Sequence, residues 1–181
     1  MRWFFVLSIL ISSCAAQQAS KAAILPNGEG PHYDLGFATA VIKVKSDQTG
    51  GRWAMVDFTA NPGMQTILHR HRKTDETFFV IEGELTMSVD GKILTLHPAD
   101  LALVPKMTPH AFANLSGKPV RFLGTFTPTG FEKFFALVAE EAKQHKLGTP
   151  EFQSAMEKIN KQVDLEPLGP PPFGQTGAAS H

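Results

Sequence analysis

The stretch "ILHRHRKTDETFFVIEG", residues 67–83, carries two histidines one residue apart and a glutamate five positions after the second. Its apolar residues otherwise suit a β-strand. Side chains alternate faces along a strand, so Ile67, His69 and His71 share one face while Arg70 and Arg72 take the other, solvated one. The polar run Arg72-Lys73-Thr74-Asp75 can turn the chain, which returns Glu76 beside the imidazoles with Phe78 and Val80 beneath it. A third imidazole stands in "PKMTPHAFANL", where His110, Phe112 and Asn114 share a face and Pro105 and Pro109 stiffen the approach. Burying several polar groups together is costly unless something satisfies them, and a divalent metal does so. A lone strand histidine is ordinarily a half-buried residue with a hydrogen-bond partner, and His32, His97, His145 and His181 take that reading.

The elements that must position these residues are short. Between Phe37 and Phe126, nine apolar runs rich in Val, Phe, Ile and Thr recur between turn signals: "ATAVIKVK", "RWAMVDFTA", "TILHRH", "TFFVIEG", "ELTMSV", "KILTL", "LALVP", "HAFANL" and "VRFLGTFT". That spacing predicts an all-β sandwich or barrel. Asp90-Gly91 joins two of the runs as a type I′ hairpin turn. After residue 128 the period lengthens. Thr129 and Glu132 form a capping-box pattern, and Phe131, Phe134, Phe135, Val138 and Ala142 recur at helical spacing up to Gly148. A second helix is expected from Thr149-Pro150 toward Gln162, with Phe152, Ala155, Met156 and Ile159 as its stripe. Such Phe-rich stripes pack against a sheet or a partner subunit rather than forming a cofactor box.

The chain of 181 residues fits one domain with appendages, and it balances 17 basic against 17 acidic residues. A net charge of zero advertises no face for nucleic acid or anionic lipid, and a small uncharged ligand suits it better. Residues 1–16 read as a signal peptide: Arg2, an apolar stretch from Trp3 to Ile11, then small residues up to Ala16. Ile11-Ser12-Ser13-Cys14 also resembles a lipobox, in which acylated Cys14 would be a membrane anchor. Either way export is expected, and the sole cysteine supplies neither a disulfide nor a nucleophile. The expected order is an arm over 17–34, the barrel over 35–128, a helical extension over 129–165 and a Pro/Gly-rich tail over 166–181.

The spacing of Gly63, His69, His71, Glu76 and Gly83 matches the first motif of the cupin superfamily at every fixed position. Pro105, His110 and Asn114 fall in register with the second, while Ala99 and Met107 stand where that motif usually has glycine. The departures concern the geometry of two turns. This resemblance implies a cupin jelly-roll barrel (double-stranded β-helix) followed by C-terminal α-helices. It also implies His69, His71, Glu76 and His110 as ligands of one divalent transition metal, with Fe, Mn, Ni, Co, Cu and Zn all open. Asn114 becomes a second-shell or turn residue. The flanking "GEGPHYDL", "TPTGFEKFF" and "LGPPP" resemble small single-cupin proteins of the quercetin 2,3-dioxygenase-like kind.

That resemblance implies an exported, metal-dependent dioxygenase in which Glu76 is the catalytic base. The substrate would be a small aromatic or enolic molecule, in a pocket walled by Phe58, Phe78, Met87 and Phe112. A homodimer is a further implication. A binding module that holds metal or a small ligand without turnover, and a metal-assisted isomerase or lyase, are the alternatives.

Overall fold

The computed structural model describes residues 22–174. The leader over 1–16 with Cys14, the start of the arm and the end of the tail lie outside the described residues.

Eleven strands, numbered in chain order, form two antiparallel sheets. The first sheet runs β1 (His32–Asp34), β2 (Ala38–Val44), β3 (Ala54–Ala60), β10 (Val120–Thr127), β5 (Asp75–Glu82) and β8 (Leu101–Val104) in spatial order. The second runs β11 (Glu166–Gly169), β4 (Leu68–Arg70), β9 (His110–Ala113), β6 (Leu85–Val89) and β7 (Lys92–Leu96). Strand β10 shows why these sequences choose strand: Val120, Phe122, Gly124 and Phe126 alternate inward and are buried, and Arg121, Leu123 and Thr125 between them are half-buried. The inward faces of the two sheets share one core. All nine expected runs are strands; β1 and β11 are additional. Because β11 is an edge strand, Pro167 can sit in it without leaving a neighbour unpaired.

Helices α1 (Lys133–Gln144) and α2 (Pro150–Asn160) follow the barrel. The expected capping box does not form. The Thr129 hydroxyl is engaged by Ser46 Oγ at 2.7 Å and the Gly51 carbonyl at 3.2 Å, while Glu132 accepts from the Gly130 N–H at 2.6 Å. The helix therefore starts at Lys133, and it ends at Gln144 rather than near Gly148 because His145 is already extended. The second helix is capped as expected, Thr149 Oγ1 accepting from the Phe152 N–H. Phe131, Phe135, Val138, Phe152 and Ile159 are buried in the barrel's own core, so the apolar stripes cap the barrel.

Backbone geometry answers the two departures from the cupin pattern. The Asp90-Gly91 hairpin has φ of 49° and 75°, as a type I′ turn requires. Ala99 and Met107 adopt φ of 74° and 69°, the left-handed conformation that glycine would accept without strain. Hydrogen bonds hold both: the Ala99 N–H donates to Val80 O at 2.9 Å and the Met107 N–H to His71 O at 2.7 Å. Both turns keep their form although a side chain is present. An L residue there costs about 1–2 kcal/mol. Ala99→Gly is accordingly expected to raise unfolding stability by about 1 kcal/mol in urea titration, strain relief outweighing the added chain entropy. A lower midpoint would contradict the strain.

Candidate metal centre

Three strands, β4, β9 and β5, meet at the site. His69 lies on β4 directly opposite His110 on β9, His71 follows the end of β4, and Glu76 comes from the start of β5. The ligand-type atoms of His69, His71, Glu76 and His110 all lie within 4.8 Å of one another, and all four residues are buried. His110 Nε2 and His71 Nε2 stand 2.9 and 3.1 Å from Glu76 Oε2.

The backbone sets which ring nitrogen faces inward. His69 Nδ1 is 2.9 Å from Ile67 O, His110 Nδ1 is 3.0 Å from Thr108 O, and His71 Nδ1 meets Asp164 O. A carbonyl can only accept, so each Nδ1 carries the hydrogen and each Nε2 is the atom aimed at the centre. His71 Nε2 is fully enclosed and makes no hydrogen bond despite its nearness to the carboxylate. An orphaned buried nitrogen beside two more imidazoles and a carboxylate fits one divalent transition ion. The donor set does not choose the element.

Electrostatics in the metal-free protein follow from burial. Desolvation, reinforced by His110, pushes the His69 imidazole down to about 3. Burial works against charge on His71 too, but the Glu76 carboxylate outweighs it and raises His71 above the usual histidine value. Burial alone would raise Glu76; the charge of His71 and the hydrogen bond with His110 overcome it and hold the carboxyl below the usual range. Between the ordinary histidine value and about 3, unfolding then lets His69 take up a proton that the folded state refuses. Stability of the metal-free protein should fall as pH drops through that window, by about 1.4 kcal/mol per pH unit for one proton. Above about 6.5 the sign reverses, since folded His71 keeps a proton that the unfolded chain releases. Urea unfolding of His69→Gln should show a shallower acid limb; curves parallel to the wild type would contradict this.

An aromatic-lined cavity of about 980 Å³ opens beside the centre, and His69 and Glu76 line it. Phe58, Phe78 and Phe112 line it as well, with ring centroids 5.4 Å apart for Phe78 and Phe112 and 6.0 Å for Phe58 and Phe112. Met87 does not: it is buried in the core on β6, opposite Phe112 and Leu94, away from the cavity wall. Phe135 of α1, Phe152 of α2 and Phe131 just before α1 also line it, so the stripes that cap the barrel wall this space too. Phe131 packs edge-on against the His71 ring at 4.7 Å.

Asn114 touches none of the four ligands. Its amide donates to Ala60 O and Lys118 O and accepts from Ser116, which builds the turn after β9. Being fully buried, it is also no glycosylation acceptor. Arg70 and Arg72 are not a merely solvated face. Glu166 of β11 accepts from Arg70 Nε at 2.9 Å and from Arg72 Nε at 2.8 Å. Asp164 and Glu166 are the residues that sequence reasoning missed. Their two-residue spacing, mirroring that of Arg70 and Arg72, was the available signal.

Comparison with known proteins agrees with this architecture. The family model described as "Cupin domain" matches residues 56–126. Quercetin 2,3-dioxygenase of Bacillus subtilis (strain 168) is 30% identical over 122 residues, which are 67% of this chain and 36% of that protein. The chain thus spans about a third of the length of that relative. Among solved structures, KdgF from Halomonas sp. superposes with a TM-score of 0.55 at 18% identity, covering 62% of this chain and 99% of the other. An RmlC-like cupin from Shewanella frigidimarina gives 0.53 at 20% identity, covering 63% and 98%. Sequence motif, barrel and family match converge, and the chain belongs to the cupin superfamily.

Proposed function

We infer that the chain is a metal-dependent dioxygenase acting on a small aromatic or enolic molecule. The observation that carries this reading is the placing of Glu76 and His69 in the wall of an aromatic-lined cavity. Likeness to a protein named quercetin 2,3-dioxygenase supports it from a second side. The cavity is of the size that accommodates a drug-sized ligand, and the rings of Phe58, Phe78 and Phe112 offer faces and edges to a flat one.

A divalent ion held by His69, His71, Glu76 and His110 would supply Lewis-acid polarisation of a substrate oxygen. The remaining work falls to the chain. Glu76 takes the enol hydroxyl proton onto its carboxylate, a role that needs an ionised group within reach of the bound molecule. His71 and His110, at 3.1 and 2.9 Å from Oε2, keep that carboxylate in place. The phenylalanine wall holds the ring and excludes water from the electron-rich carbon. Dioxygen adds across the two enol carbons, and the bond between them breaks to open the ring. Both oxygen atoms stay in the product, as a carboxylate and a carbonyl, and the proton on Glu76 leaves to solvent.

The experiment is an oxygen-electrode screen of metal-loaded protein, beginning with flavonols and followed by product analysis. Oxygen consumption matched by ring-opened product supports the reading. Ligand affinity with no oxygen consumption would replace it with a binding module, and product without oxygen consumption with an isomerase or lyase.

A further inference from the structure

We propose that Asp164, in the turn between α2 and β11, is a positioning residue of the metal centre, so that docking of the C-terminal segment and metal binding are coupled. The proposal rests on the reading of His69, His71, Glu76 and His110 as a metal centre.

Asp164 engages the centre with both backbone and side chain. Its carbonyl accepts from His71 Nδ1. Its carboxylate accepts from the Arg72 N–H at 2.9 Å, the Lys73 N–H at 2.8 Å and the Thr74 hydroxyl at 2.9 Å. Those three residues are the turn that separates His71 from β5, where Glu76 is the second residue. One aspartate therefore fixes the tautomer of one ligand and the path of the chain to the next. Beyond it, Glu166 pairs with Arg70 and Arg72, and Pro167 lies opposite His69 in the β11–β4 register. His69 and His110, by contrast, are anchored by carbonyls two residues before them, within their own chain segments. Only His71 among the three depends on a group supplied by a segment distant in the sequence.

The physical consequence is a linkage. An imidazole whose second nitrogen is held by a fixed acceptor is restrained in rotation and tautomer, and loss of such a partner typically weakens metal binding by about 10–100-fold. Whatever factor docking of the segment adds to metal affinity, metal binding must return to docking.

Co(II) binding to the full chain tests this, read by chelator competition and by visible absorption. Asp164→Ala keeps the main-chain carbonyl that accepts from His71 Nδ1 but releases the Arg72–Thr74 turn that seats it. It should weaken Co(II) by about tenfold, the low end of that range, and change its absorption bands, and Asp164→Asn, which keeps one acceptor oxygen, should fall between. Val138→Ala, a cavity in α1, should lower the melting temperature and leave Co(II) affinity unchanged. In the wild type, Co(II) should slow amide exchange at Arg72 and Lys73, which decides the matter even if Asp164→Ala does not fold. Wild-type affinity and absorption in Asp164→Ala, or unchanged exchange on Co(II) binding, would overturn the proposal alone. A wild-type protein with no affinity for Co(II), or one whose affinity survives His110→Ala, would overturn the metal centre and this proposal with it.

Discussion

Glu76→Gln is expected to fold and to retain a weakened metal site, yet to lose oxygen consumption with its substrate by about 10²–10⁴-fold. Glutamine preserves the side chain's shape and one oxygen at the centre, but cannot accept the enol proton. The substitution separates holding from proton transfer, because His69, His71 and His110 keep their own backbone anchors to Ile67, Asp164 and Thr108. The expected signature is a fall in kcat that does not recover with added metal. A variant that binds metal and turns over at the wild-type rate would remove Glu76 from the base role and leave it only a ligand-type group.

The second large effect concerns the helical extension. Phe135→Ala should destabilise the protein by about 3–5 kcal/mol, the usual cost of deleting a buried phenylalanine. Phe135 is buried on α1, with its ring centroid 5.9 Å from that of Phe58 and 6.1 Å from that of Phe126, two barrel residues. The extension is therefore part of the barrel's core, and it also walls the cavity beside Glu76. Chemical unfolding measures the cost. A loss below about 1 kcal/mol would mean that the helix docks loosely and that the cavity has no firm second wall.

These residues also show what could be read before any coordinates. Period-two alternation placed His69 and His71 on one face, and a polar turn returned Glu76 to them, so three of the four ligand-type residues followed from local rules. His110 is different: its pairing with His69 is a contact across 41 residues, so local rules offered it only as an available third imidazole, and the resemblance to a known motif assigned it to the centre. Met87 marks the limit of alternation. It is buried directly opposite Phe112, yet Phe112 and not Met87 lines the cavity, a distinction that period two does not make. β11 was hidden by Pro167 and Gly169, which signal a tail unless the strand is known to be an edge. Asp164 was hidden for a related reason, since its partners Arg72, Lys73 and Thr74 are about ninety residues away. The Ala99 and Met107 turns, by contrast, were flagged by their departure from glycine. They kept the left-handed backbone because the hydrogen bonds that their N–H groups donate to the Val80 and His71 carbonyls hold them.

The most direct test of the central claim is the metal content of protein purified without added metal, measured beside His69→Ala and His110→Ala. About one transition ion per chain in the wild type, lost from both variants, is the predicted result. A wild-type protein without metal, or with metal that both variants retain, would contradict a metal centre at His69, His71, Glu76 and His110.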